Sequence, residues 1–333
     1  MAYHPIFSIR ARLVSLLEEI AALRQRIVTA SIHVPWIPAL QQDARTRNAH
    51  SSTAIEGNPL TLAQVRAIEE GRVISATERA TREVLNYFAG LRFIDRRQRQ
   101  HPITHDDMLA LHRLIASGVM DQGIAGRYRH VGVRVGRYLP PPPHEVHELM
   151  GELLTWWNHD ASPWSPVITS AVLHYRFEAI HPFADGNGRT GRMLALWELY
   201  RRGFDTHHIF SVDEYYWNDR PRYYQALEAV REQRGDVTGW VEYVAEGVRL
   251  TLERVWLRIE HLTAQSHGRR IVLRPKQERL LHLLRDQHGM APREIWKAMG
   301  VSRQGAMDLI HPLIKAGLIR RVGTKKSGRY LLT

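Results

Sequence analysis

The sequence predicts a mainly α-helical protein with one β-hairpin in its body and, at its C-terminal end, a small basic module of three helices and a second hairpin. Three observations carry this prediction. Apolar residues recur at spacings of three and four over most of the 333 residues. The body has one clear stretch, residues 128–143, that alternates with a period of two. Of the chain's net charge of +12, residues 269–333 hold +11, with 15 Lys and Arg against 4 Asp and Glu.

Residues 8–30 place Ile9, Leu13, Leu16, Leu17, Ile20, Leu23 and Ile27 on one face of an amphipathic helix. Pro35 and Pro38 interrupt it, and a second helical segment runs to the stop signal Gly57-Asn58-Pro59. Thr61 suits the N-cap of a third helix, and a longer one is expected over 75–98. Residues 104–115 open with a threonine and two aspartates, which suit the positive end of a helix. In the period-two stretch, Val131, Val133 and Val135 alternate with Gly132, Arg134 and Gly136, and four prolines end it. Helices resume over 144–158 and 165–180, from near Arg189 through 202, and over 219–233 and 237–262. After a polar segment at 264–270, three helices and an apolar–basic–apolar turn follow in the order of a winged helix-turn-helix. The expected organisation is an N-terminal helical region (1–100), a core (101–263), a linker (264–270) and a terminal module (271–333).

Composition narrows the class. Hydrophobic content of 44% and charged content of 24% are those of a globular protein. The absence of cysteine rules out disulfides and Cys-ligated metal centres. No apolar run approaches the roughly 20 residues of a membrane span, so no membrane association is expected. The first residues lack the pattern of a secretory signal, and a cytoplasmic location is expected.

The chemistry concentrates in "HPFADGNGRTGR", residues 181–192. Gly186, Gly188 and Gly191 spell G-x-G-x-x-G, but a dinucleotide loop must follow a buried strand, and here a helix precedes it. A Walker A loop would need Gly-Lys-Ser/Thr, which is absent. A phosphate cradle at a helix start fits better. Gly186-Asn187-Gly188 can turn successive N–H groups to one point, and the following helix adds its own free N–H groups. Arg189 and Arg192, three apart, suit two phosphates. With Thr190 and Gly191 these complete the candidate phosphate-binding set. Asp185 can reach a Mg²⁺ that bridges those phosphates. His181 supplies a base for an incoming hydroxyl. The competing reading is a Gly-rich helix-to-helix turn with a buried histidine.

This stretch resembles the signature of Fic-domain proteins, matched at every defined position, and the resemblance extends over roughly residues 1–260. It implies a helical core with a β-hairpin flap. It also implies transfer of AMP from Mg·ATP to Ser, Thr or Tyr hydroxyls of target proteins, this one included. By that resemblance His181 is the base, Phe183 anchors the loop, Asp185 holds Mg²⁺, and residues 186–192 hold the phosphates. Val133, Arg134, Val135 and Gly136 match the flap on which an extended target segment adds by main-chain bonds. Tyr216, Tyr223 and Tyr224 fall where aromatic rings close over adenine.

"SSTAIEGN" (51–58) resembles the family's inhibitory motif through Ser52, Glu56 and Gly57. A carboxylate on that helix end can pair bidentately with Arg192 and take the guanidinium from the triphosphate. The same glutamate could position a water and remove AMP instead. In the basic module, Ser302 can cap a recognition helix whose Arg303 and Gln304 read base edges, while Lys325 and Lys326 meet phosphates. Such modules also dock proteins or join two copies as a homodimer. The alternative to an enzyme is a DNA-binding regulator whose body senses nucleotide.

Overall fold

The computed structural model describes residues 3–30, 36–97, 101–204, 208–265, 273–287, 289–323 and 328–332. The chain forms two compact units, one of residues 1–29 and 40–258, the other of 30–39 and 259–333. Residues on both sides of the expected break at 100 fall in the first unit. Most of the expected linker, and with it Lys325 and Lys326, lies outside the described residues.

The first unit is helical. In chain order it contains α1 (Ala11–Thr29), most of α2 (Trp36–Ile55), α3 (Leu62–Glu69), α4 (Glu78–Arg96) and α5 (His105–Ala116). Then come α6 (Val146–Thr155), α7 (Pro166–Ile180), α8 (Asn187–Arg201), α9 (Asp213–Asn218), α10 (Arg220–Glu232) and most of α11 (Thr238–Gln265). Local chemistry sets several boundaries. Thr61 and Thr104 cap α3 and α5, each in a reciprocal capping box with the residue three positions on. Pro38 sits in the first turn of α2, where the missing N–H costs little. Helices α7 and α8 form the centre. They are buried on nearly every side and pack most extensively against each other.

The predicted hairpin forms only at its tip. Between α5 and α6 no strand forms. A single antiparallel bridge joins Val135 to Tyr138 across a tight turn, with Gly136 at φ 58°. Two features prevent a ladder. Arg129 ties the start of the segment to the core, its N–H donating to the Pro182 carbonyl at 2.9 Å. Residues 140–143 on the return side are prolines and have no N–H to donate.

The second unit builds its own core from Leu280, Leu284, Ile295, Ile310, Leu313 and Ile319. It contains α12 (Pro275–Asp286), α13 (Pro292–Met299), α14 (Arg303–Lys315), β1 (Ile319–Val322) and β2 (Arg329–Leu332). The strands pair antiparallel with Ile319 opposite Leu332, and Met290 bridges Tyr330. Ser302 caps α14 by accepting the Gly305 N–H at 3.1 Å. No helix among the described residues is long and apolar enough to cross a membrane.

Candidate active site

The loop between α7 and α8 is fixed at both ends by backbone conformation. His181 ends α7 in the left-handed region (φ 50°), and Gly186 opens α8 from the same region (φ 78°). A non-glycine residue there carries strain, so the surroundings must hold it. The Arg129 Nε donates to the His181 carbonyl at 2.8 Å. The Asn187 side chain closes the loop on itself, accepting from Phe183 N–H at 2.9 Å and donating to the Phe183 carbonyl at 2.8 Å.

Beneath the loop, the fully buried Phe183 stacks on His112 with centroids 3.6 Å apart. His112 Nδ1 accepts the Gly126 N–H at 2.9 Å, so its proton resides on Nε2, which donates to the Asp185 carbonyl at 2.9 Å. Burial pushes the His112 pKa down to about 4, in keeping with a neutral ring.

A cavity of about 470 Å³ opens beside this loop. His181, Gly188 and Arg192 line it from α7 and α8, with Glu56 from α2, Tyr223 and Tyr224 from α10, and Val135 to Arg137 from the turn. The His181 Nδ1 is buried 3.7 Å from the Glu178 carboxylate and makes no hydrogen bond. The ring therefore meets the cavity through its other edge.

Arg192 is buried (1% exposed) and wholly engaged. Its Nε donates to Ser52 Oγ at 2.8 Å, its Nη2 to the Ser52 carbonyl and to Glu56 Oε1 at 2.8 Å each, and its Nη1 lies 3.5 Å from Tyr223 Oη. The expected two-pronged carboxylate pair is thus corrected. Glu56 supplies one oxygen, and Ser52 supplies the hydroxyl and carbonyl that saturate the rest. Ser52 points toward Tyr87 and Asp213, and the Tyr87 hydroxyl donates to Asp213 Oδ2 at 2.8 Å. Burial acts to raise the Glu56 pKa, but the Arg192 charge and hydrogen bond overcome it and hold the carboxyl below its ordinary value. A Cβ built on Gly188 would collide with the Glu56 carboxylate oxygen. The carboxylate therefore lies directly against the bare backbone of the second glycine. Gly57, in the left-handed region at φ 97°, then turns the chain away from α2.

Of the residues that the sequence assigns to phosphate, Gly188 and Arg192 line this cavity. Arg189 lies instead between Glu83 at 3.5 Å and Asp185 at 3.9 Å, with its Nε and Nη1 making no hydrogen bond. Thr190 is buried and donates to the Gly186 carbonyl at 2.8 Å, and Gly191 packs against Phe177 and His174. Asp185 Oδ1 accepts the Gly186 N–H at 2.6 Å, and its Oδ2 accepts the Asp121 N–H at 3.3 Å. Tyr223 and Tyr224 face the cavity, whereas Tyr216 lies in the core against Tyr223, Trp240 and Tyr243. In the second unit Arg303 lies over the Trp296 ring at 5.8 Å, and Gln304 donates to Asp308 at 2.9 Å. Sequence reading did not single out His174, Tyr87, Asp213, Arg129 or His112. The spacing of His174 and Glu178 on one face of α7 was the one local signal for any of them.

Residues 102–199 match the Fic/DOC family. "Protein adenylyltransferase fic-1" of Caenorhabditis briggsae is 35% identical over 211 residues, which is 62% of this chain and 40% of that protein. "Protein adenylyltransferase Fic" of Culex quinquefasciatus is 31% identical over 237 residues, 69% of this chain and 46% of that one. The chain thus spans less than half the length of these curated relatives. Among solved structures, a Fic family protein from Desulfovibrio desulfuricans superposes with a TM-score of 0.68 at 28% identity, covering 99% of this chain and 98% of that one. Fic-1 of Caenorhabditis elegans gives a TM-score of 0.66 at 28% identity over 76% of this chain and 74% of that one.

Proposed function

The chain carries a domain of the Fic/DOC family, and from that premise we propose that it is a protein adenylyltransferase held in check by its own Glu56. In the reaction a Ser, Thr or Tyr hydroxyl oxygen attacks the α-phosphorus of ATP. The bond to the bridging oxygen breaks, pyrophosphate leaves, and the hydroxyl proton passes to the His181 ring at its cavity edge. The Gly188 amide and the Arg192 guanidinium meet the phosphates, where fixed donors stabilise developing charge without rearranging. Tyr223 and Tyr224 also line the cavity, and an aromatic ring there gives a base a face to stack on.

Asp185 suits Mg²⁺. It is one partly exposed carboxylate with lone pairs beyond its two N–H contacts, and Mg²⁺ binds through one or two carboxylates plus substrate phosphates and water. When bound, the ion would neutralise phosphate charge.

The observation that carries the reading is the Glu56 carboxylate, seated on Arg192 above Gly188 where an anion is expected. The test is Glu56→Gly protein incubated with Mg·ATP and weighed intact, alone and with a cell extract. A mass gain of one AMP that wild type lacks supports the proposal. Equal labelling of both proteins refutes the brake, and labelling undiminished in His181→Ala refutes the chemistry. Loss of AMP from modified protein on adding wild type would mark Glu56 as acting in the reverse direction also.

A second reading rests on charge. The second unit carries most of the chain's net positive charge, and its capped α14 presents Arg303 and Gln304 at the first turn. We propose that it is a winged helix-turn-helix that binds DNA. Affinity falling steeply with salt supports this, since cation release sets the slope. No binding at low salt overturns it.

A further inference from the structure

Between Asp121 and Glu145 the chain contains no acidic residue, yet it contains Arg127, Arg129, Arg134 and Arg137. Their fates differ. Arg129 is buried and spent on four carbonyls, those of Val131, Pro141, Ile180 and His181. Arg127, Arg134 and Arg137 are exposed and lie in no ion pair or side-chain hydrogen bond among the described residues. Elsewhere in this unit some exposed arginines find carboxylates. Arg12, Arg66, Arg79 and Arg222 each lie within 3.3 Å of one, whereas Arg92, Arg96 and Arg113 lie in no ion pair among the described residues. Arg134 and Arg137 flank the turn, Arg127 precedes its anchor at Arg129, and the three add positive charge to a segment without carboxylates in a unit that is near neutral.

The turn is placed to use that charge. Its base is bonded to the catalytic loop at Pro182, and Val135, Gly136 and Arg137 share the cavity with His181. The N–H and C=O groups of Val133 and Arg134 are unpaired among the described residues. They offer an edge to an extended chain. Resting on the transferase reading above, we propose that this turn selects its targets by charge. The occupant is an extended, acidic polypeptide segment that flanks the hydroxyl to be modified, with its Asp and Glu side chains against Arg127, Arg134 and Arg137.

The test uses full-length Glu56→Gly protein, Mg·ATP and three peptides with one identical acceptor hydroxyl and acidic, neutral or basic flanks. AMP incorporation is measured by mass, and peptide binding by fluorescence anisotropy. The acidic peptide is expected to be modified about tenfold faster than the neutral one, the gain from several exposed ion pairs together. That advantage shrinks towards unity as salt shortens the screening length. Arg127→Ala and Arg134→Ala are each expected to reduce it about threefold. Transfer to the neutral peptide stays unchanged in Arg127→Ala, which a folding defect would not allow. Equal rates and binding for the three peptides, or a preference for the basic one, overturn the proposal. So does self-labelling without any charge preference among peptides. Absence of all labelling, self-labelling included, refutes the transferase reading itself.

Discussion

The loop at 181–192 and the turn at 127–139 border the same cavity, and they use their polar groups in opposite ways. In the loop most are committed, with the His181 ring and Arg189 as exceptions. Asn187 is bonded to both backbone groups of Phe183, Thr190 to Gly186, and Arg192 to Ser52 and Glu56. In the turn one arginine is committed and three are not. Chemistry needs atoms held to fractions of an ångström, so the loop spends its hydrogen bonds on holding itself in place. Recognition of a partner needs groups left available.

If that division is right, loop substitutions alter rate or stability, and turn substitutions alter choice of target. The largest effect is expected from His181→Ala, a fall of about 10²–10⁴-fold in AMP transfer, the usual contribution of a general base. Single-turnover labelling in the Glu56→Gly background measures it. Next, Glu56→Gly is expected to raise labelling by about 10- to 100-fold, the worth of a charge-assisted hydrogen bond of roughly 1.5–3 kcal/mol. Ser52→Ala should give a smaller rise, because the Ser52 carbonyl still holds Nη2. Third, Asn187→Ala leaves the Phe183 N–H and carbonyl unpaired. A loss of about 1–3 kcal/mol of stability is expected in thermal or urea melts, beyond what substituting Arg127, Arg134 or Arg137 costs.

The last expectation concerns pH and is felt only in acid. Burial holds His112 at about 4, and burial with the Arg192 charge holds His174 at about 3, both below the ordinary 6.5. Both rings are neutral in the fold and take up a proton on unfolding. Their contribution is complete above pH 6.5 and is lost as pH falls from there towards 4 and below. Melting temperature should fall across that window, with a shallower slope in His112→Gln.

What was legible in the sequence was what chain neighbours decide. The caps at Thr61 and Thr104 follow from residues three apart, and the loop motif lies within twelve. The failures needed distant partners. The valine alternation at 131–135 is a genuine strand pattern, but prolines on the return side and the anchoring of Arg129 prevent pairing. Arg189 and Arg192 differ by about 60° around the helix. On a helix buried nearly all round, that suffices to hand one to Glu83 and the other to Ser52. Tyr216 and Tyr223 look alike in sequence, yet Tyr216 lies in the core and Tyr223 lines the cavity. Nothing local predicts that Asp213 and Tyr87, 126 positions apart, meet behind Ser52.

The contact between Glu56 and the bare backbone of Gly188 has a kinetic corollary. On the proposed reading a tethered anion and a diffusing one compete for that seat, and the setting of the switch depends on how much nucleotide surrounds the protein. Alanine at 188 would push the Glu56 carboxylate off the glycine backbone.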